Sequence, residues 1–490
     1  MKNESKKCIV IGAGVSGLAS AIRMRNKGYA VEVFEANAFP GGKLSSERNG
    51  KYRFDMGPSV FTMPHFADEL FHLSGKNPRD YFEYEQLDPV YRYFYEDGTV
   101  LDGYHSNERF AEEIARKTID SKEDIYRYLK KAEYMYSLTH EVFLHNSLHK
   151  VKNFLTRRVA RGVWNFGKIG AFDTMNSANK KALKDPRLVQ LFNRYATYNG
   201  SSPYLAPATL NVISHVEIQR GAFYPKGGMY SITRALEKLA KDLGVVFHYS
   251  TRVEEIIIEK KIAKGIRHAN GESRADVVIT NSDVYTTYHK LMPEQKKPQQ
   301  TLNQPKSSSG IIFYWGIKQS FEQLKLHNIL FAKDYEEEFD TIFSKKDIYH
   351  DPTIYVNITS KHTPDDAPEG CENWFSFINV PNNQGQDWDA FIDKGREAVI
   401  NKVNRMLKTD IRPLIECEMV FDPRVIEKRT SSAFGAIYGN SSNNKFAAFL
   451  RHPNFSGRIK NLYFCGGSVH PGPSVPLCLL SAKIAVNSVR

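Results

Sequence analysis

The chain has 490 residues, of which 41% are apolar and 25% are charged, a composition typical of globular proteins rather than disordered or fibrous ones. At this length two or more domains are expected, and a core can form without disulfide bonds. Mean hydropathy is −0.46, and no apolar run approaches the roughly 20 residues that cross a bilayer. These values exclude an integral membrane protein but allow one that lies on a membrane surface.

Cysteine usage and charge narrow the function classes further. The five cysteines are scattered, with neither a CxxC pair nor a Cys/His cluster, so no disulfide framework and no metal site are expected. The net charge of +12 comes without a dense Lys/Arg tract or a recognisable nucleic-acid module, which argues against nucleic acid as a partner. No signal peptide is evident, so we expect a cytoplasmic protein, peripheral on the inner face of the cell membrane.

The first predicted elements form a dinucleotide-binding turn. A short buried strand, residues 8–11, is followed by glycines in the spacing G-x-G-x-x-G and by a predicted helix up to Lys27. In this context the first glycine permits the tight turn, the second lets a pyrophosphate approach, and the third lets helix and strand pack closely. The residues predicted to cradle the pyrophosphate are Gly12, Gly14, Val15, Ser16 and Gly17.

The second predicted strand, residues 30–34, ends at Glu35. An acidic side chain at this point can bond both ribose hydroxyls of an adenosine, and its charge would repel a 2′-phosphate. The fingerprint therefore disfavours NADP and leaves FAD and NAD open.

Two further turns follow that a simple NAD dehydrogenase does not need: residues 40–43 (Pro-Gly-Gly-Lys) and residues 55–59 (Asp-Met-Gly-Pro-Ser). With them the N-terminal sequence resembles the FAD-dependent amine oxidase and carotenoid desaturase superfamily. Where relatives carry Arg after the Gly-Gly pair, this chain has Lys43, a point charge rather than a bidentate fork. The resemblance implies FAD contacts at Gly41, Gly42, Lys43, Gly57, Pro58 and Ser59.

A middle segment matches the same superfamily. Residues 224–229 (Tyr-Pro-Lys-Gly-Gly-Met) lead into a predicted helix over 231–243. Strands are predicted around 245–249, 253–258 and 275–281. The resemblance implies that Val253 contacts adenine through its backbone.

The C-terminal region adds a third match. A predicted strand, residues 461–465, leads through a glycine pair into the run 469–476 and a predicted helix over 477–485. Carotenoid desaturases typically show a run close to His-Pro-Gly-Gly-Gly-x-Pro, and this chain departs from it with Pro473 and Ser474. The resemblance implies FAD contacts at Gly466, Gly467, Val475 and Pro476, and makes His470 the first side chain to test for catalysis.

These matches predict an α/β fold in which a Rossmann-like FAD-binding domain is interleaved with an α+β substrate domain. The FAD domain is predicted to comprise residues 1–85, 224–285 and 441–490. The substrate domain is predicted to comprise residues 86–223 and 286–440, which are rich in aromatic residues that suit either a core or an apolar tunnel.

Residues 142–172 are unusual because they hold six Lys or Arg and no Asp or Glu. Their apolar residues fall near helical spacing, which is the pattern of an interfacial membrane-binding helix. A core-packed helix with a solvated basic face explains the same pattern, and both interpretations stay open.

The resemblance implies an oxidoreductase whose FAD takes a hydride from a saturated carbon beside a conjugated polyene, creating a new double bond. The favoured prediction is a carotenoid desaturase acting at the 3,4 position of a 1-hydroxycarotenoid, and a phytoene desaturase is the alternative. A flavin-dependent carotenoid isomerase, an amine oxidase and a non-enzymatic carrier of prenylated proteins also remain open. An amine oxidase would need an aromatic cage and a lysine beside the flavin, and the sequence assigns neither.

Overall fold

The structure is a computed structural model that describes residues 5–143, 149, 173–444, 447 and 450–489. Most of the segment predicted to bind a membrane, namely 144–148 and 150–172, lies outside the described residues. None of the described helices is both long enough and apolar enough to cross a bilayer.

The described residues form twenty strands and fourteen α-helices, with several runs of consecutive strands or consecutive helices. The strands are β1 (Lys7–Ile11), β2 (Ala30–Phe34), β3 (Ser46–Asn49), β4 (Tyr52–Asp55), β5 (Phe61–Thr62), β6 (Tyr84–Gln86), β7 (Tyr91–Phe94), β8 (Val100–Gly103), β9 (Ala222–Pro225), β10 (Val246–His248), β11 (Val253–Glu259), β12 (Ile262–His268), β13 (Gly271–Arg274), β14 (Val277–Thr280), β15 (Ser309–Ile317), β16 (His327–Leu330), β17 (Ile354–Ile358), β18 (Glu372–Val380), β19 (Ile415–Phe421) and β20 (Leu462–Phe464). The α-helices are α1 (Val15–Asn26), α2 (His65–Leu73), α3 (Asn107–Lys117), α4 (Lys122–Phe143), α5 (Met175–Ala182), α6 (Pro186–Asn193), α7 (Val212–Ser214), α8 (Tyr230–Asp242), α9 (Val284–Thr286), α10 (Gln299–Leu302), α11 (Tyr335–Asp340), α12 (Trp388–Leu407), α13 (Pro423–Thr430) and α14 (Val475–Asn487).

A five-stranded parallel sheet in the order β10-β2-β1-β14-β20 forms the first half of the molecule. Its central strand, β1, is buried on both faces from Cys8 to Ile11, as expected for the continuous apolar run Cys-Ile-Val-Ile. Leu18 of α1, Leu236 of α8 and Leu479 of α14 pack in the cluster on one face. The antiparallel sheet β11-β12-β13 covers the other face.

A seven-stranded sheet in the order β19-β15-β18-β17-β16-β7-β8 forms the second half. Side chains alternate between its faces, as the period of a strand requires. Phe313 and Trp315 of β15 pack in one cluster with Trp388 of α12, whereas Ile312 and Tyr314 lie in a different cluster on the other face. That second face is turned towards the functional site described below.

The α/β fold class is confirmed. The strands of the five-stranded sheet come from the three segments predicted for the FAD domain, and those of the seven-stranded sheet come from the other two. The division into domains itself stays a prediction. Element positions agree with the sequence patterns to within two residues at most ends, and α14 begins at Val475, two residues before the predicted start.

Candidate functional site

One large cavity, of about 940 Å³, lies between the two sheets and is called the central cavity here. On one side it is lined by residues at the carboxyl ends of β1, β2, β14 and β20, where ligands bind in open parallel sheets. On the other side it is lined by the second face of the seven-stranded sheet. Sixteen of the seventeen predicted FAD contacts line it: Gly12, Gly14, Val15, Ser16, Glu35, Gly41, Gly42, Lys43, Gly57, Pro58, Ser59, Val253, Gly466, Gly467, Val475 and Pro476.

The turn between β1 and α1 presents backbone rather than side chains to the cavity. Gly12 has φ +90°, a conformation that favours glycine, and its N–H donates to the Phe34 carbonyl at 2.8 Å. Gly14 caps α1 and, having no side chain, offers no side-chain acceptor to the first turn of the helix. The first N–H groups of a helix have no partner within the helix, so this end of α1 favours an anion in the cavity.

Gly17 is the one predicted contact that does not line the cavity, and its place explains why. A Cβ at this position would overlap the Gly12 carbonyl oxygen, so the glycine permits close packing of helix on turn. Its N–H donates to the side-chain oxygen of Asn281 at 3.1 Å. The Asn281 amide group donates in turn to the Cys465 carbonyl at 3.3 Å, and this residue therefore joins α1 to the ends of β14 and β20.

Glu35 is buried at the end of β2 and lines the cavity. Its Oε2 accepts from the Ala13 N–H and its Oε1 from the Asn37 N–H, both at 2.8 Å. The Asn37 side-chain amide also donates to Oε1 at 2.8 Å, so these bonds fix the plane of the carboxylate and leave acceptor capacity on Oε2 for a ribose hydroxyl.

The second glycine turn lies directly against the first. The Gly41 N–H donates to the Ala13 carbonyl at 2.9 Å, and Gly41 has φ +112° with no room for a Cβ beside Leu44. The Lys43 ammonium donates to the Ile437 carbonyl at 2.6 Å. Burial lowers the pKa of Lys43, and the nearby Asp283 opposes that shift.

The third turn, residues 55–59, connects the two halves of the molecule. A Cβ at Gly57 would overlap the Lys43 carbonyl, so this turn and the second glycine turn are packed together. Ser59 accepts a 2.6 Å hydrogen bond from the hydroxyl of Tyr355, which lies on β17 of the seven-stranded sheet.

The C-terminal turn completes the cofactor side of the cavity. Gly466 has φ +116°, and Ser474 caps α14 by accepting from the Leu477 N–H at 3.3 Å. Arg451, only 4% exposed, lines the cavity here and donates to the Gly467 carbonyl at 3.4 Å. Burial lowers its pKa to about 10.

His470 is 2% exposed and does not line the central cavity, although the next residue, Pro471, does. Its backbone carbonyl accepts from Asn454 at 2.8 Å and from Ser481 at 2.9 Å. The geometry thus gives His470 a place in the packing of this turn, and its catalytic role stays a prediction without support from position.

Several lining residues were not predicted. Asn281 directly follows β14, and a polar residue at the carboxyl end of a parallel strand is the signal that could have found it. Arg451, and the pair Arg194 and Glu217 on the opposite wall, are brought to the cavity by long-range packing that no local pattern reveals.

The parallel sheet, the glycine turns and the acidic residue at the end of β2 together define a dinucleotide-binding protein. Residues 15–490 match the family model described as flavin containing amine oxidoreductase. The 1-hydroxycarotenoid 3,4-desaturase of Flavobacterium sp. (strain P99-3) is 46% identical to this chain over 484 residues, covering 99% of each. The 4,4'-diapolycopene oxygenase of Methylomonas sp is 33% identical over 499 residues, covering 99% of this chain and 98% of that one.

A crystal structure of an oxidoreductase from Methanosarcina mazei shares the fold, with a TM-score of 0.65 and 16% identity over 98% of this chain and 100% of that chain. The chain therefore belongs to the flavin-containing amine oxidoreductase family and is an FAD-dependent oxidoreductase. The residues present fit FAD, because uncapped helix N–H groups and side-chain-free turns face the cavity where a pyrophosphate needs them.

Proposed function

We propose that this protein is a carotenoid desaturase that introduces the 3,4 double bond into a 1-hydroxycarotenoid. The observation that carries the proposal is the 46% identity, over nearly the whole of both chains, with a protein named for that reaction. The central cavity supports it, because a single space joins the cofactor turns to a wall suited to a long apolar molecule.

The wall opposite the cofactor turns is mainly apolar and aromatic. Removing apolar surface from water contributes roughly 25 cal/mol per Å², so an extended polyene can bind there with few polar contacts. The residues of the seven-stranded sheet and its connections that supply this surface are Ile312, Ile329, Tyr355, Phe375, Phe377 and Phe421.

When bound, FAD supplies the acceptor for the hydride that leaves one saturated carbon of the substrate. The adjoining polyene would delocalise the positive charge that results, and the neighbouring carbon would pass its proton to a weakly basic group on the cavity wall, such as a carboxylate, to complete the double bond. Because a proton beside a carbocation is acidic, no strong base is required of the wall. The task of the protein is to hold the reacting carbons against the cofactor and to exclude water.

We also propose that the protein takes its substrate from the inner face of the cell membrane through residues 142–172. The sequence of this segment is basic, and its apolar residues recur at helical spacing. Each Lys or Arg near anionic headgroups contributes about 1 kcal/mol to the free energy of membrane binding. Thr139 and His140, in the last turns of α4, line the central cavity. The chain thus enters this segment directly from the cavity wall, which suits a route from lipid to the cofactor.

Co-expression in pigment-producing bacteria tests the reaction. One strain should supply phytoene and another a carotene hydroxylated at its acyclic end, with the pigments followed by absorption and mass spectrometry. We expect a red shift and the loss of two hydrogens in the hydroxycarotene strain only. A change in the phytoene strain alone would assign the protein to phytoene desaturation, and a gain of oxygen would group it with the oxygenases. No change in either strain would overturn the proposal.

A further inference from the structure

A buried ion pair lies on the mainly aromatic and apolar wall of the central cavity. Arg194 Nη2 and Glu217 Oε1 are 2.9 Å apart, their side chains are only 5% and 2% exposed, and both residues line the cavity. Taking two charges out of water costs several kcal/mol per ion, and the attraction between them offsets this only with good geometry and further hydrogen bonds. A buried ion pair adds little net stability to a fold, so stability does not explain why this pair lies on the wall of a binding cavity.

Tyrosines surround the pair on two sides. Tyr198 donates to Glu217 Oε2 and lies 3.0 Å, hydroxyl to hydroxyl, from Tyr91, and both of these tyrosines line the cavity. Tyr195 donates to Glu217 Oε1 at 2.8 Å, but it is fully buried and does not line the cavity. Burial and the Glu217 charge raise the pKa of Tyr198 well above its usual value, so its hydroxyl stays a neutral donor.

Arg194 and Glu217, with Tyr91 and Tyr198, form a polar cluster on the cavity wall. This cluster can still donate and accept further hydrogen bonds. The Arg194 Nε is buried and has no hydrogen-bond partner among the described residues. A buried N–H without a partner is costly, and native structures seldom keep one unless a ligand or water uses it. The carboxylate of Glu217 also has more lone pairs than its three donors occupy.

The cluster is close to the cofactor side. The ring of Tyr355 lies 6.3 Å from that of Tyr91, and the Tyr355 hydroxyl donates to Ser59 in the third turn at 2.6 Å. One aromatic ring therefore separates the cluster from a turn predicted to contact FAD. In a 1-hydroxycarotenoid the oxygen is only three bonds from the nearer carbon of the 3,4 bond, so a group that binds this hydroxyl must lie near the reacting carbons.

We propose that Arg194, Glu217 and Tyr198 bind the tertiary hydroxyl of the substrate and thereby set which end of the polyene reacts. This inference rests on the proposed function. The hydroxyl donates to the remaining lone pair of Glu217 Oε2, which Tyr198 holds in place, and accepts from the Arg194 Nε that has no partner among the described residues, whereas a hydrocarbon end can do neither. Sites built to bond a substrate hydroxyl discriminate strongly against analogues that lack it.

The test compares two tyrosines that bond the same carboxylate. The flavin-loaded Tyr198→Phe and Tyr195→Phe variants are assayed in lipid vesicles with a 1-hydroxycarotenoid and with its parent hydrocarbon. The loss of a hydrogen bond to a charged group lowers binding affinity by about tenfold to hundredfold. We expect Tyr198→Phe to lower kcat/KM for the hydroxylated substrate by this factor, mainly through KM, with a much smaller effect on the hydrocarbon.

Tyr195→Phe is the control, because it removes an equivalent bond away from the cavity and should change both substrates by the same factor. Glu217→Gln, which keeps the shape of the side chain, should reduce the preference for the hydroxylated substrate as Tyr198→Phe does. Equal losses for both substrates in the Tyr198→Phe variant, at normal flavin content, would overturn the inference. A wild-type protein that converts neither substrate would overturn the proposed function instead. In that case, stronger quenching of flavin fluorescence by the hydroxylated carotenoid than by the hydrocarbon would still test whether the cluster binds the hydroxyl.

Discussion

Gly14 and Asn281 are predicted to be energetically coupled across the cofactor turn. A Cβ at Gly14 would lie 2.7 Å from the side-chain oxygen of Asn281, so Gly14→Ala requires the carboxamide group to turn away. That movement breaks its hydrogen bonds with Gly17 and Cys465. At about 1 kcal/mol for each bond, the substitution should cost about 2 kcal/mol of unfolding free energy.

Asn281→Ala removes the same two bonds and should cost a similar amount. In the double variant the oxygen that opposed the new methyl group is gone, so the second substitution adds little. The cost of the pair should therefore be about 2 kcal/mol rather than about 4 kcal/mol, a coupling of about 2 kcal/mol.

Urea titration followed by tryptophan fluorescence measures these values, using flavin-free protein so that steric exclusion of FAD does not contribute. Gly457→Ala is the matched control for the added methyl group, because a Cβ there meets nothing within 4 Å. Strictly additive costs for Gly14→Ala and Asn281→Ala would refute the proposed contact.

Three other outcomes are expected. Gly14→Val should abolish flavin retention, because its side chain enters the path of the pyrophosphate; a normal flavin absorption spectrum after purification would count against the site. Replacing Arg157, Arg158 and Arg161 by Glu should weaken sedimentation with anionic vesicles, and unchanged sedimentation would remove the membrane proposal. Burial raises the pKa of Glu338 from its usual 4.5 to about 7, so the stability it contributes is present below pH 4.5 and lost as the pH rises towards 7. Glu338→Gln should flatten this part of the pH–stability curve, and an unaltered slope would contradict the assignment.

The cofactor side could be predicted because its signals are local. The roles of Gly12, Gly14 and Glu35 follow from a turn and a strand end that neighbouring residues in the sequence define. The resemblance to a known superfamily predicted the other two glycine turns. The wall that faces them could not be predicted in the same way. Arg194 and Glu217 are 23 residues apart on two separate short helical turns, so only the tertiary fold brings them together.

His470 illustrates a different limit. Its motif correctly indicated a turn against the cavity, since Pro471 and Val475 line it. Asn454 and Ser481 hold the backbone carbonyl of His470 in place, and the sequence pattern contains neither these tertiary contacts nor the direction in which the side chain faces.

The edge strand β20 has a consequence for how the protein is made. It pairs with β14 and is followed by α14, whose Cys478 carbonyl accepts from the Ser16 hydroxyl of α1 at 2.7 Å. A ribosome delivers β1 and α1 long before it delivers these partners, so the nascent nucleotide half keeps an open strand edge and an uncovered helix face through most of translation. Such surfaces attract other chains, so we expect aggregation of this half to be most pronounced before β20 emerges.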